Sequence, residues 1–326
     1  GEEYVENHNG VDIVHQDIKV KINSGPEKGS ELTVRNGGGT VIPEHQKLEK
    51  GDRVIIGKNI SMGETEYYIV DRYRLPPIWI ISAGFFALVI IFARWKGIAS
   101  IAGLVISILV LVKFIVPGIL EGGNPLIISL IGSFIIAVFS IYTSHGLNKR
   151  TSVAVLSTLI TLAISIVLSV IFVKFAQLFG TGNDEAFYLQ MGQFENINLR
   201  GLLMAGIIIG SLGVLDDVTT TQVATVDEIK KANSSLRFAD LYKRGLSVGG
   251  EHITSLVNTL VLAYAGASLP LFLLFSTNKH QPYWVIINSE FIAEEIIRTL
   301  VGSTALTLAV PISTLLAAYF FARRKS

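Results

Sequence analysis

The sequence contains no cysteine, and charged residues make up only 16% of its 326 positions. The absence of cysteine excludes disulfides, thiolate metal sites and cysteine nucleophiles. Soluble domains carry about 25% charged residues, whereas half of this chain is hydrophobic. The net charge of +1 gives nucleic-acid binding no electrostatic support. We therefore interpret the chain as an integral membrane protein whose partner is the lipid bilayer, with no nucleic-acid partner.

Common catalytic signatures are also absent from the sequence. There is no Gly-x-x-x-x-Gly-Lys-Ser/Thr run, no Rossmann glycine pattern, no His-Glu-x-x-His and no Gly-x-Ser-x-Gly. The chain therefore has no recognisable means of binding a nucleotide or hydrolysing ATP, and the sequence assigns no catalytic residue and no cofactor. Intramembrane hydrolysis by paired carboxylates is a minor alternative. The adjacent Asp216 and Asp217 point about 100° apart on a helix, which makes them a poor facing pair.

Residues 1 to about 75 show a β pattern. Ile18, Val20 and Ile22 alternate with polar residues, and Ser24-Gly-Pro-Glu-Lys-Gly29 supplies a turn. Four or five such strands predict a small barrel of the OB or SH3-like kind. Because the chain opens on Gly1 rather than methionine, we expect a signal sequence or a first anchor to precede it.

Residues 76–326 are predicted to form a transmembrane helical domain, beginning at Pro76-Pro77. Seven apolar segments follow, at roughly 78–93, 98–120, 125–142, 152–179, 201–216, 248–275 and 296–322. The fold class predicted is therefore an α-helical polytopic membrane bundle of about seven helices with an N-terminal β-barrel module.

Basic residues concentrate in alternate connections between these segments, and the positive-inside rule assigns such connections to the cytoplasm. They are Arg94, Lys96, Lys149, Arg150, Lys230, Lys231, Arg237, Lys243, Arg244 and the run Arg323-Arg324-Lys325. The other connections are acidic or nearly neutral. We therefore predict a β module outside the cytoplasm, with the C-terminus and a loop of about 217–247 in the cytoplasm.

The stretch 201–229 passes from small apolar residues to carboxylates and hydroxyls with no helix breaker between them. Its apolar part, Leu202 to Leu215, is 14 residues. That length corresponds to roughly 21 Å of helix, short of the roughly 30 Å hydrocarbon core. One helical stripe contains Gly206, Gly210, Gly213, Asp217, Thr221, Ala224 and Glu228. The glycines predict close approach of a neighbouring backbone, and the acids predict a functional cavity.

A second polar stripe opens the sixth segment, where Glu251, Ser255 and Asn258 share a helix face. We expect Asp217 to meet Glu251 there and to share a proton or hold a cation. The candidate solute or ion ligands are Asp216, Asp217, Thr220, Thr221, Gln222, Glu251, His252, Ser255 and Asn258. Alternatively, the two aspartates mark the point where the fifth segment leaves the bilayer. Glu294, Glu295 and Arg298 are predicted to form a structural ion pair, since Glu294 and Arg298 have i,i+4 spacing.

Three blocks make the sequence resemble the YibE/F-like family of bacterial membrane proteins. They are Leu212-Gly-Val-Leu-Asp-Asp-Val-Thr-Thr-Thr-Gln-Val-Ala224, the stretch 249–270, and Glu294-Glu-Ile-Ile-Arg-Thr-Leu-Val-Gly-Ser303 with Val310-Pro311. Where the family pattern often reads Gly-Arg-Asp-His, this chain has Gly249-Gly-Glu-His252, so the carboxylate is kept and the arginine is absent. The resemblance implies a bacterial plasma-membrane location and one folding unit for the bundle. It supplies no substrate.

Two functional hypotheses follow. The first is a transporter or channel-like permease in which the polar stripes line a cavity between the fifth and sixth segments. Its solute would be an ion or a small polar molecule, and a cation fits oxygen ligands best. The alternative is a membrane-anchored binding, assembly or sensing protein whose outer β module recruits a partner. A second copy of the chain or another membrane subunit is compatible with both.

Overall fold

The structure is a computed structural model, and it describes residues 2–8, 11–36, 46–61, 64–191, 196–277 and 282–323. The chain divides into two compact units, residues 1–88 and residues 89–326. The first unit contains a β-sheet, and the second is a bundle of helices.

The sheet unit has five strands, in agreement with the predicted β module. They are β1 Glu2–His8, β2 Val11–Lys21, β3 Glu31–Asn36, β4 Val54–Ser61 and β5 Glu64–Arg72. The spatial order is β1-β2-β3-β5-β4, and every neighbouring pair is antiparallel except β3 and β5.

The predicted closed barrel does not appear in the strands that the structure describes. β1 and β4 lie at opposite edges of the sheet and do not pair with each other, so the sheet is open. Alternation of apolar residues indicates a half-buried strand, but it does not specify which strands pair across a closing seam. The prediction of four or five strands is therefore confirmed, whereas the prediction of a closed barrel is not.

The turn between β2 and β3 is fastened to the β4–β5 hairpin by Glu27. Its carboxylate accepts hydrogen bonds from Lys58 Nζ at 2.5 Å and from Tyr67 Oη at 2.7 Å. The Lys58 hydrogen bond, followed by that of Tyr67, lowers the pKa of Glu27 below its ordinary value of 4.5. This contact joins residues that are distant in sequence on the surface of the sheet.

The helices account for most of the chain. They are α1 Leu75–Val110, continued by a π-helical turn Leu111–Ile115, and then α2 Val116–Leu120, α3 Pro125–His145, α4 Lys149–Phe175, α5 Asp184–Met191, α6 Leu199–Ala232, α7 Phe238–Ala267, α8 Leu269–Ser276, α9 Tyr283–Asn288 and α10 Glu290–Ala322. The predicted loop 217–247 is helical except at residues 233–237, because α6 and α7 extend towards each other.

Among the described residues, five helical stretches are long and apolar enough to cross a membrane, or six if α7 and α8 form one bent span. The five are Leu75–Leu120, Pro125–His145, Lys149–Phe175, Leu199–Ala232 and Glu290–Ala322. The α7–α8 pair bends by 62°, where Pro270 lies in the first turn of α8 and lacks a backbone donor. The prediction of a mostly helical chain with several helices apolar enough to span a membrane is thus confirmed, whereas the predicted number of seven spans is not.

The first of these stretches contains a sharp break at Arg94, whose φ is 53° and ψ is −131°. The carbonyl oxygen of Val89 lies 2.6 Å from the position that a Cβ on Gly97 would occupy. Residues eight positions apart in a straight helix are separated by about 12 Å along its axis. The chain therefore turns back at Arg94, which separates the predicted segments 78–93 and 98–120.

α6 lies at the centre of the bundle unit, because α3, α4, α7 and α10 all pack against it. α4 runs antiparallel to α6, since Arg150 lies near Glu228 and Thr158 near Thr219. α10 runs parallel to α6. One apolar core joins α3, α4, α6 and α10, and includes Ala137, Leu162, Ile208, Leu212 and Ala309. This packing leaves one side of α6 to α7 and to the surroundings.

Candidate functional site

One side of α6 contains the small-to-polar stripe predicted from the sequence. We call Gly206, Gly210, Gly213 and Asp217 the glycine face. Gly206 and Gly210 are half-buried, whereas Gly213 and Asp217 are exposed. These four residues lie three or four positions apart, so they form one continuous strip along the helix. The buried positions on the other sides of α6 carry side chains that pack into the apolar core.

Side-chain ends, and not a neighbouring backbone, lie over the first two glycines. Arg298 Nη1 of α10 is 3.1 Å from the position a Cβ on Gly206 would occupy, and Tyr264 Oη of α7 is 2.9 Å from that of Gly210. No atom of the described residues lies within 4 Å of the corresponding point at Gly213. The prediction of backbone approach is therefore wrong at these positions. The glycines instead leave room for a guanidinium and a phenol, and open space follows towards Asp217.

The two aspartates lie near the middle of α6 and differ in environment. Asp216 is half-buried and Asp217 is exposed. Their helix is tied by Thr220, whose hydroxyl donates to the backbone oxygen of Asp216 at 2.8 Å and lies 3.2 Å from that of Asp217. Asp217 lies within electrostatic range of His145, the last residue of α3.

The position of His145 shows how far along the bundle the two aspartates of α6 lie. α3 has 21 residues, which corresponds to roughly 31 Å, about the thickness of the hydrocarbon core. Asp217 therefore lies level with one end of a helix of minimal spanning length. This position is compatible with an inner-leaflet cavity and also with an exit from the bilayer.

On α7, the predicted site residues Glu251, Ser255 and Asn258 are exposed, and His252 is half-buried. Thr221 of α6 is exposed as well. Within the described part of the chain, no hydrogen bond or ion pair joins Asp217 to Glu251. The predicted meeting of these two carboxylates is thus not seen as a direct contact, although both belong to surfaces that the isolated bundle leaves open.

Gln222 occupies a different position from the other predicted ligands. It is fully buried, and its Nε2 donates to the backbone oxygen of Gly245 at 2.8 Å and to Thr314 Oγ1 at 2.7 Å. A Cβ on Gly249 would overlap Val310 and approach the Gln222 amide to 2.9 Å. Gln222 therefore joins α6, α7 and α10 in a tight junction. Its Oε1 has no hydrogen-bond partner among the described residues.

At the N-terminal end of α10, the acids Glu290, Glu294 and Glu295 each have a different partner. Glu290 accepts hydrogen bonds from the backbone N–H groups of Phe179, Gly180 and Thr181 at 2.6, 2.9 and 3.3 Å. Glu295 pairs with Arg298, at 3.3 Å between Oε1 and Nε. The i,i+4 partner that we expected for Arg298 was Glu294.

Glu294 instead accepts the N–H of Gly182 at 2.9 Å. The α4–α5 segment approaches α10 closely enough to provide that donor, which the sequence spacing could not indicate.

Several polar residues of the core were missed by the sequence analysis. Thr158 and Thr219 share a hydrogen bond of 2.5 Å between α4 and α6. Ser129 and Ser133 of α3 and Ser165 of α4 are fully buried, and their hydroxyls have no partner among the described residues. Their i,i+4 spacing on α3 was readable, but only the register of the helices shows that they face the core.

A preformed metal centre is not apparent in the described residues, since no group of three or more His, Cys, Asp or Glu side chains is suitably placed.

Comparison with known proteins identifies one relationship. Residues 81–323 match the family model described as YibE/F-like protein. No curated protein and no solved structure matches the chain. The resemblance inferred from the three sequence blocks is thus confirmed, and the matched region contains both aspartates, Tyr264 and the Glu294–Arg298 turn.

Proposed function

We propose that the chain, which belongs to the YibE/F-like family, is a transporter or channel-like permease of the bacterial plasma membrane. Its solute is an ion or a small polar molecule. The matched region contains all of the long apolar helices from α3 onwards, which supports a role within the bilayer.

The proposed topology has seven spans. It counts the two helices that flank Arg94 separately, and it counts the bent α7–α8 pair as one span. The N-terminal module then lies outside and the C-terminus inside, as the distribution of lysine and arginine favours. In this proposal residues 1–75 form an extracytoplasmic β module, and residues 76–326 form the transmembrane domain.

The observation that carries the transport proposal is the glycine face. A helix surrounded by four others normally fills its surface with apolar side chains, yet α6 presents glycines that end at a carboxylate. The tips of Arg298 and Tyr264 line this strip, and the position over Gly213 is open. Polar side chains at membrane depth mark substrate and ion pathways. The strip therefore forms the wall of a polar path along α6.

The α7 residues Glu251, His252, Ser255 and Asn258 form the facing wall in this proposal. Polar side chains exposed to lipid are unfavourable, so water or solute covers them in the membrane. Asp216, Asp217, Thr220 and Thr221 provide oxygen ligands on the α6 side. Gln222 takes part through the junction that fixes α7 against α6.

Flux measurements in proteoliposomes test this assignment. Purified protein is reconstituted, a potassium diffusion potential is imposed, and uptake of protons, sodium or rubidium is followed. We expect Asp217→Asn to reduce flux by about 100-fold, since removal of one essential charge is worth roughly 3 kcal/mol. Glu251→Gln should reduce it as well. Glu228→Gln is the matched control, because Glu228 lies on the same stripe of α6 but pairs with Lys231.

Flux that is present in the wild type and unchanged in both Asp217→Asn and Glu251→Gln would remove these residues from the path. Equal losses in Glu228→Gln and Asp217→Asn would indicate a general effect of surface charge.

A second function is favoured by the open sheet. Among the described strands, β4 pairs on one side only, and an unpaired strand edge is a template for another strand. Ile60, Tyr68 and Val70 are exposed on β4 and β5. The alternative is therefore an assembly or sensing protein whose module recruits a partner. Deleting residues 1–74 should abolish function under this alternative, while Asp217→Asn and Glu251→Gln should have no effect.

A further inference from the structure

A buried carboxyl group at the end of α10 has no role in the path described above. Glu294 is only 1% exposed, and its Oε1 accepts the N–H of Gly182 at 2.9 Å. Glycine at position 182 allows this close approach, because a Cβ there would lie 2.5 Å from Glu294 Cδ and would displace the carboxyl group. The α4–α5 segment is thus shaped to enclose this one side chain.

The cation best placed for Glu294 is engaged elsewhere. Arg298 lies one helical turn further on, in the favourable order for an ion pair. Its Nε nevertheless contacts Glu295 at 3.3 Å, and its Nη1 lies over Gly206. An ionised carboxylate that is buried without a paired cation is strongly unfavourable. The observed arrangement therefore fits a Glu294 that carries a proton.

The charges around Glu294 are few. On α10 they are Glu290, Glu295 and Arg298. The α4–α5 segment contributes the N–H of Gly182. On α6 the nearest described cation, Arg200, donates to the backbone oxygen of Leu178.

On α7, Tyr264 lies near Arg298 and Glu295. Within the described residues, Arg298 is thus the cation of α10 that an ionised Glu294 can recruit.

We propose that Glu294 binds and releases a proton, and that its charge decides where the Arg298 guanidinium lies. With Glu294 protonated, Arg298 stays with Glu295 and covers Gly206, as observed. When the proton leaves to water, Glu294 Oε2 attracts the guanidinium, which moves off the glycine face. Proton release thus uncovers that end of the solute path. This inference rests on the proposed function and names the proton as its coupling ion.

Infrared difference spectroscopy on the purified full chain tests the proton site without any transport assay. Spectra recorded across neutral pH should contain the C=O band of a protonated carboxyl group. Glu294→Gln, which keeps an acceptor for Gly182, should lose the band, and Glu294→Asp should keep it. Glu121→Gln, a control at an exposed acid after α2, should also keep it. Absence of the band in the wild type, or its persistence in Glu294→Gln, would overturn the proposal.

Thiol labelling tests the link to Arg298. The chain has no cysteine, so Gly213→Cys provides a single reporter in open space. Its labelling rate by a small cationic thiol reagent is measured with the native Glu294 and with Glu294→Gln. The first rate is divided by the second, and this ratio cancels the pH dependence of the thiol. We expect a ratio near one at acidic pH that rises about fivefold or more at alkaline pH.

A constant ratio with efficient labelling would contradict the Glu294 proposal alone. No labelling at any pH would contradict both this proposal and the solute path.

Discussion

α6 and α10 pack in one register along their contact, since Gly206 lies next to Arg298 and Gln222 lies next to Thr314. The two ends of this contact differ in how tightly they are packed. At the Gln222 end, the amide bonds Thr314, and α7 closes over them through Gly245 and Gly249. At the Arg298 end, Gly206 meets only the tip of a long side chain. Tightly packed contacts resist rearrangement, whereas sparse ones open at low free energy. The same helix pair therefore combines a fixed joint with a region that can change.

The largest effect is expected from filling the fixed joint. Gly249→Val places side-chain atoms into Val310 and the Gln222 amide. We expect the free energy of unfolding to fall by about 1–3 kcal/mol or more, measured as a lower Tm in detergent. Gly250→Val is the matched control, because its Cβ meets nothing within 4 Å. Equal Tm values for the two variants would show that the joint is not tight.

Removing the amide of the joint should have the next largest effect. Gln222→Leu loses the hydrogen bonds to Gly245 and Thr314, and each net bond is worth about 0.5–1.5 kcal/mol. We expect a Tm well below that of the wild type. Thr221→Leu, at the exposed neighbouring position, should leave the Tm nearly unchanged. A harmless Gln222→Leu would mean that packing alone holds the three helices together.

At the Arg298 end, a methyl group should alter activity more than stability. In Gly206→Ala the new Cβ lies 3.1 Å from Arg298 Nη1, which a flexible guanidinium can avoid. Alanine is also the better helix former, by up to about 1 kcal/mol. We expect an unchanged or slightly higher Tm together with a changed flux. A loss of stability as large as that of Gly249→Val would remove the difference between the two ends.

The smallest effect is expected at Glu27, which provides a reference for an exposed contact outside the bundle. Its pKa is lowered in the folded sheet by Lys58 and then Tyr67. The stabilisation is therefore present above the unfolded pKa of 4.5, and is lost as the pH falls through the folded pKa. In an acid titration of the full chain followed by circular dichroism, Glu27→Gln should lose strand signal at a higher pH than the wild type. This difference should be confined to pH values above the folded pKa of Glu27. Coincident titrations at all pH values would contradict the assignment.

Much of the architecture was readable from the sequence, because hydrophobic periodicity reports local structure directly. The strand around Ile18 to Ile22, the turn at Gly25 to Gly29 and the stripe on α6 were all predicted. The glycines of that stripe were recognised, but their neighbours were not. Arg298 and Tyr264 reach Gly206 and Gly210 through the register of α7 and α10, and no spacing within one segment encodes that register.

The errors have the same origin. Glu294 had good local spacing to Arg298, but the N–H of Gly182, distant in sequence, took its carboxylate. Gln222 and its neighbour Thr221 were both predicted to be solute ligands. Because successive helical residues are rotated by about 100°, Gln222 points towards the junction and Thr221 points outwards. Barrel closure similarly depends on which edge strands meet, and this is a tertiary property.

The account depends on water reaching the glycine face within the membrane. The most direct measurement is the labelling rate of Gly213→Cys by a small water-soluble cationic thiol reagent in native membranes, compared with Ser211→Cys at the buried position two residues earlier. We predict rapid labelling of Gly213→Cys, slower labelling when Asp217→Asn is added, and protection of Ser211→Cys. If Gly213→Cys reacts no faster than Ser211→Cys, α6 borders no polar path and the transport proposal is wrong.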